Sequence, residues 1–116
     1  MRAELCIVPQ SLYEMWVVLT RPASDNGIGM QPTEVKAEMD RTRRFFRFLD
    51  DNSKIFPIWE TLVTQYAIKG KPAHDARLVA AMVCHGIEQL LTFNRTDFTR
   101  FTQITILEPE KVITGT

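Results

Sequence analysis

Apolar and polar positions fall into short blocks along this chain, and the period changes from block to block. Leu5-Cys6-Ile7-Val8 is a continuous apolar run, the pattern of a strand buried on both faces, and Pro9-Gln10 end it. Ser11-Leu12-Tyr13-Glu14 fits a capping box, with Ser11 at the N-cap and Glu14 at the third helical position. The helix it predicts continues through Met15, Trp16, Val17, Val18 and Leu19 and stops by Thr20-Arg21-Pro22. Residues 23–31, with Asn26-Gly27-Ile28-Gly29, read as a flexible loop. Pro32 suits the first turn of a second helix over about 33–44. Phe45-Phe46-Arg47-Phe48-Leu49 has strand composition.

Asp50-Asp51-Asn52 turns the chain, Ser53 is the expected N-cap, and a third helix over about 54–66 turns Ile58, Leu62 and Val63, with Trp59, toward a core. Gly70 punctuates the connection to a fourth helix, opened by Pro72-Ala73-His74-Asp75 and closed by Gly86. Leu78, Val79, Ala81, Met82 and Val83 make that helix apolar nearly all round, so it is expected to be well buried. A buried strand follows over residues 89–92, then a short helical turn over 97–101 and a last strand over 104–107, stopped by Glu108-Pro109. The tail from Glu110 carries no strong signal. Strands alternating with helices in this order predict an α/β domain, a parallel sheet with helices on both faces. No repeat and no long linker divides it, so a single domain over 1–116 is expected.

Composition narrows this only slightly. At 45% hydrophobic and 24% charged, 116 residues can build one small globular core. Fourteen basic and fourteen acidic residues give a formal charge of zero, which gives no support to stable nucleic-acid binding through phosphates, although brief substrate contact needs only a local patch. The most basic cluster is Arg41, Arg43, Arg44 and Arg47, read either as a solvated helix face or as a phosphate-contact surface. Cys6 and Cys84 have no CxxC spacing and no zinc-finger histidine pair, so they read as core residues of a reduced compartment. The run before Pro9 is too short for a signal peptide, and no window approaches the ~20 apolar residues of a membrane span. The cytoplasm is the expected location.

Three acidic residues stand near predicted strand ends or helix starts: Glu14, Asp75 and Asp97. Ligands of parallel α/β proteins gather at such points. Carboxylates sharing one cavity repel unless a cation joins them, and magnesium takes oxygen ligands of this kind. Each residue also has a plain structural reading: Glu14 as a cap acceptor, and the tempting pair Asp50-Asp51 as turn chemistry. Asn26-Gly27-Ile28-Gly29 is no dinucleotide fingerprint, because position 32 is Pro32 where a third glycine is needed and no strand lies just upstream.

The stretch from Gly70 to Pro109, G-K-x-A-H-D-A-R-L-V-A-A-M…H-G-I…L-L-T-F-N…D-F…F…I-x-I-L-x-P, resembles the C-terminal half of PIN domains, and most closely the VapC-like ribonuclease toxins of bacterial toxin–antitoxin pairs. P-Q-S-L-Y-E-M-W-V-V-L-T-R-P and N-G-I-G-M resemble one bacterial branch of the same family, so the likeness covers about residues 5–109. It implies a three-layer α/β/α fold and a ribonuclease activity that uses magnesium or manganese. Glu14 matches the acid on the helix after the family's second strand, Asp75 the acid opening the helix before the fourth, and Asp97 the final acid. Thr92 and Asn94 match the polar positions that line the site. His74 and Arg77 beside Asp75 read as structural or rim residues.

The same comparison exposes a departure. PIN domains begin with a central strand ending in an apolar run, then Asp, a small residue and often Asn; this chain starts at what would be the second strand. Asp50-Asp51-Asn52 imitates the missing motif but follows Glu14. A truncated PIN-like domain is therefore expected, from a shortened gene model, a decayed gene or an excised fragment. Two functions follow from the resemblance: a metal-dependent endoribonuclease held by an antitoxin and forming a homodimer, or a catalytically impaired remnant that acts only in protein association.

Overall fold

The computed structural model describes residues 5–92 and 95–107. Contacts divide the chain into two compact units, Met1–Asp51 and Asn52–Thr116. The described residues form a mixed α/β structure of four α-helices and two separate pairs of short parallel strands. Among them, no helix is long and apolar enough to cross a membrane.

In the first unit, β1 (Cys6–Ile7) leads directly into α1 (Pro9–Thr20). The helix begins earlier than the S-x-x-E pattern predicts. Pro9 occupies the first helical turn, where its missing N–H costs nothing, and Val8 becomes the N-cap. Ser11 is then the third helical residue, and its hydroxyl reaches back to the Val8 N–H at 3.3 Å. Glu14 therefore lies in the second turn, and the cap role expected of it is overturned. The chain leaves α1 through Pro22 and a 3-10 turn, Ala23–Asp25. The segment expected to be a flexible loop is held by backbone hydrogen bonds: Ile28 and Met30 donate to the Val18 and Leu19 carbonyls near the end of α1, at 3.2 and 2.8 Å. Gly27 passes so near Arg21 that a Cβ there would collide with the Arg21 carbonyl, so this position requires glycine.

The second helix, α2 (Pro32–Phe45), starts with Pro32 as expected, and Glu34 reaches back to the Gln31 N–H at 3.1 Å. It runs into Phe45, so the predicted strand shortens to β2 (Arg47–Phe48). β2 pairs parallel with β1, Cys6 opposite Arg47 and Ile7 opposite Phe48, through Arg47 N–H to Leu5 O and Leu49 N–H to Ile7 O, both 2.9 Å. Val8, Leu12 and Val35 are buried, and Thr42 meets Met15 Sδ at 3.8 Å. The expectation that residues 5–8 form a strand buried on both faces fails: Cys6 and Ile7 are half-buried and Leu5 is exposed. A strand with a single partner has an open edge and no neighbouring strand to carry covering helices across its faces.

In the second unit, α3 (Ile55–Gln65) and α4 (Pro72–Cys84) form a helical hairpin. Asn52, rather than Ser53, prepares α3, its side-chain oxygen accepting the Lys54 N–H at 2.8 Å. Trp59 Nε1 donates to the Ala73 carbonyl at 2.8 Å and ties α3 to the first turn of α4. Ile55 and Leu62 of α3 and Ala76, Val79, Ala80, Ala81 and Met82 of α4 are buried, as the apolar surround of α4 predicts, while Val83 stays exposed. Cys84 is half-buried, like Cys6, and its Sγ lies 3.4 Å from Asn52 Oδ1.

Both helices of the hairpin end in Schellman motifs. In α4 the Ile87 N–H returns to Met82 O and the Gly86 N–H to Val83 O, at 2.8 and 3.2 Å, with Gly86 at φ 71°. In α3 the Ile68 N–H returns to Val63 O and the Ala67 N–H to Thr64 O, at 3.0 and 3.2 Å, with Ala67 at φ 49°. β3 (Gln89–Leu91) follows, then a 3-10 turn (Arg95–Asp97) and β4 (Thr105–Leu107). β3 pairs parallel with β4, Gln89 opposite Thr105 and Leu91 opposite Leu107. Phe98, Phe101 and Ile104 anchor the intervening segment in the core, but β3 itself is not the buried strand expected, since Gln89 and Leu91 are exposed.

Candidate functional site

Asp75 sits in the first turn of α4, as expected. Pro72 opens that turn, and the Ala73 and His74 amides bond to the carbonyls of Gly70 and Lys71 at 3.0 and 2.9 Å. A carboxylate here lies near the positive end of the helix dipole and steadies the helix start. Its side chain is half-buried, like that of Arg77, whereas His74 is exposed; all three are engaged with neighbours. Thr92 stands immediately after β3, its N–H donating to the Leu107 carbonyl at 3.0 Å. Asp97 closes the 3-10 turn that follows and is exposed; the next residue, Phe98, is buried and donates its N–H to Arg95 O at 3.1 Å. Asn94, the other polar position expected to line the site, lies outside the described residues.

Asp75, Thr92 and Asp97 thus belong to the second unit and Glu14 to the first. Glu14 is exposed on α1. Within neither unit do the described residues gather three or more His, Cys, Asp or Glu side chains close enough to hold a metal ion. Asp50, Asp51 and Asn52 make the turn chemistry expected of them: Asp50 Oδ1 accepts the Asp51 N–H at 2.7 Å, and Asn52 prepares α3.

The basic cluster has a local account. Helix α2 carries Glu34 in its first turn and Arg43 and Arg44 in its last, the order that complements the helix dipole. Arg41 pairs with Glu38 at 2.6 Å, Lys36 with Asp40 at 2.6 Å, and the Arg43 guanidinium lies 4.5 Å from the centre of the Phe48 ring. The hydrogen bond from Lys36 holds the Asp40 carboxyl below its ordinary value, and the charges of Lys36, Arg44 and Arg43 add to the effect. Arg41, Arg43, Arg44 and Arg47 all remain exposed.

Two features of the second unit were not read from the sequence. Tyr66, just past the end of α3, reaches the segment before β4: its oxygen accepts the Thr102 N–H at 3.3 Å, lies 3.2 Å from Thr102 Oγ1 and donates to Gln103 Oε1 at 3.1 Å. Its ring meets Phe101 edge-on at 5.2 Å. These partners are more than thirty residues away in sequence, and no local pattern announces them. The other feature is an apolar groove of about 330 Å³ bordered by Pro57, Ile58, Leu62 and Val83, with Gln65 and Gln103 at its rim. The helical spacing of Ile58 and Leu62 was its only sequence signal.

No family model and no curated protein sequence matches the chain.

Proposed function

We propose that the chain is a metal-dependent endoribonuclease of the PIN-domain, VapC-like type, cleaving RNA phosphodiesters with Mg2+ or Mn2+. The observation that carries this reading is the placement of Asp75 in the first turn of α4 and of Asp97 in the turn after parallel strand β3. Helix starts and the carboxyl ends of parallel strands are the ligand-gathering positions of α/β proteins. Both residues offer carboxylate oxygens, the donors a hard cation prefers. The metal supplies, when bound, a Lewis acid and an easily deprotonated water. Asp75 and Asp97 would hold it, and the resemblance assigns Glu14 as the third acid and Thr92 and Asn94 as site-lining positions. Arg41, Arg43 and Arg44 contact RNA phosphates. A three-layer α/β/α fold, a cytoplasmic location, a cognate antitoxin and a homodimer belong to the same proposal.

The test is RNA cleavage by the full chain with Mg2+ or Mn2+. Cleavage is expected, with loss on chelation and a drop of at least about a hundredfold in Asp75→Asn, since even residues that only orient metal ligands cost 10–100-fold. If neither this chain nor an upstream-extended version cuts RNA, and Asp75→Asn changes nothing, the enzyme reading is lost.

A second reading, a catalytically impaired PIN remnant that acts only in protein association, is favoured by the outer surface of α1. Tyr13, Trp16 and Val17 share one helical stripe there and are exposed, as an antitoxin or dimer contact would require. Complex formation without cleavage would select it, and a stop or frameshift in the DNA upstream of Met1 would agree.

A further inference from the structure

We propose that the outer edge of β3 pairs antiparallel with the same edge of a second copy of this chain, joining two β3–β4 pairs into one four-stranded sheet. The inference rests on the homodimer part of the reading above and is independent of the nuclease part.

The edge is defined by the register of the existing ladder. Glu88 O accepts the Thr105 N–H at 2.7 Å, and the Thr92 N–H donates to Leu107 O at 3.0 Å. In a parallel ladder such bonds come from alternate residues, so Glu88, Leu90 and Thr92 face β4 while Gln89 and Leu91 turn their N–H and C=O groups to the opposite side. Among the described residues no strand pairs there. Gln89 is exposed and Leu91 is 52% exposed. β1 and β2 have only two residues each, and the outer edge of β4 begins at buried Ile104. Gln89–Leu91 itself contains no proline and no charge to block pairing, although the strand is short and Glu88 precedes it.

The partner follows from the pattern of donors and acceptors. A twofold axis through Leu90 sets Gln89 opposite Leu91 of the second copy, and such a pair exchanges both of its N–H···O=C bonds. Leu90 then faces Leu90 across the axis as the closer, non-hydrogen-bonded pair, and Glu88 faces Thr92. No like charges are opposed, and the formal charge of zero adds no long-range repulsion. Parallel addition of a second copy would be head-to-tail and leave an edge open for further chains, whereas the twofold pairing closes.

Sedimentation equilibrium of the full chain between about 1 µM and about 1 mM is expected to show a monomer–dimer equilibrium. Leu91→Pro removes an N–H that β4 does not use, so the strand keeps its ladder, and dimer dissociation is expected to strengthen at least about tenfold. In a Cys6→Ser, Cys84→Ser background, Leu90→Cys is expected to oxidise to a covalent dimer and Gln89→Cys is not, because only residue 90 meets itself. If Leu91→Pro loses its far-UV dichroism, the cysteine pair decides. A chain that stays monomeric throughout, or one that crosslinks through residue 89 as readily as through 90, overturns the inference. RNA cleavage by such a monomer would leave the nuclease reading intact, and a dimer of the stated register without cleavage would do the reverse.

Discussion

The two helix ends of the second unit offer an internally controlled perturbation. Both carry the same pair of Schellman hydrogen bonds, but the left-handed position holds Gly86 in α4 and Ala67 in α3. An alanine there brings its Cβ against the following carbonyl, at a cost of roughly 1–2 kcal/mol. Glycine avoids that cost but gives the unfolded chain more freedom, worth about 0.4–1 kcal/mol in the opposite sense. Ala67→Gly is therefore expected to stabilise the protein by about 0.5–1 kcal/mol. Gly86→Ala should destabilise it by a similar amount, and because no atom lies within 4 Å of a Cβ built there, the effect comes from φ alone. Thermal unfolding of the full chain should show midpoint shifts of about 2–4 °C of opposite sign, given the entropy change of a domain of this size. Were both substitutions to shift the midpoint in the same direction, the left-handed strain at Ala67 would not be what limits the end of α3.

Tyr66→Phe keeps the edge-on contact with Phe101 but removes the bonds to Thr102 and Gln103, and should cost about 1 kcal/mol in urea unfolding. The Thr102 hydroxyl, and then its amide, hold the Tyr66 phenol below the ordinary tyrosine value of 10.0. The shift adds nothing at neutral pH, where the phenol is protonated in both states; its stabilisation appears as pH rises through the lowered value and is complete above the unfolded one. An absorbance titration of the Tyr13→Phe protein, with Tyr66 its only tyrosine, should reach its midpoint below that of free tyrosine; a midpoint at or above it would remove the hydrogen-bond account. Asn52→Ala removes the acceptor for the Lys54 N–H and should lower stability by about 0.5–2 kcal/mol, whereas Ser53→Ala should do almost nothing.

The helices were the legible part of the fold because proline and glycine act locally. Pro32 and Pro72 open helices where the sequence places them, and Gly70 and Gly86 take the left-handed conformations that their positions suggest. Caps were less legible because hydroxyl and amide side chains compete for the same amides. Ser11 reaches backward to Val8 rather than forward, since Pro9 had already started the helix, and ahead of α3 it is Asn52, not Ser53, whose side chain accepts a backbone N–H, with Lys54 as the N-cap. The apolar run at residues 5–8 was read as a strand buried on both faces, and residues 89–92 as a buried strand. Apolar composition marks a strand but not how many partners it finds, and with one partner each, Leu5 and Leu91 remain exposed. Of the candidate site, the position of Asp75 was legible because Pro72 fixes it locally, whereas Asp97 closes a 3-10 turn over Arg95–Asp97 rather than opening a helical turn over 97–101. Glu14 was misassigned as a cap for the same reason that Ser11 was.

The most direct test of the proposed metal chemistry is Mn2+ binding by the full chain, followed by the electron paramagnetic resonance signal of the free ion. If Asp75 and Asp97 are ligands, one site is expected, with affinity reduced at least about tenfold in each of Asp75→Asn and Asp97→Asn. Absence of that site, or Mn2+ binding unchanged by both substitutions, would contradict the assignment.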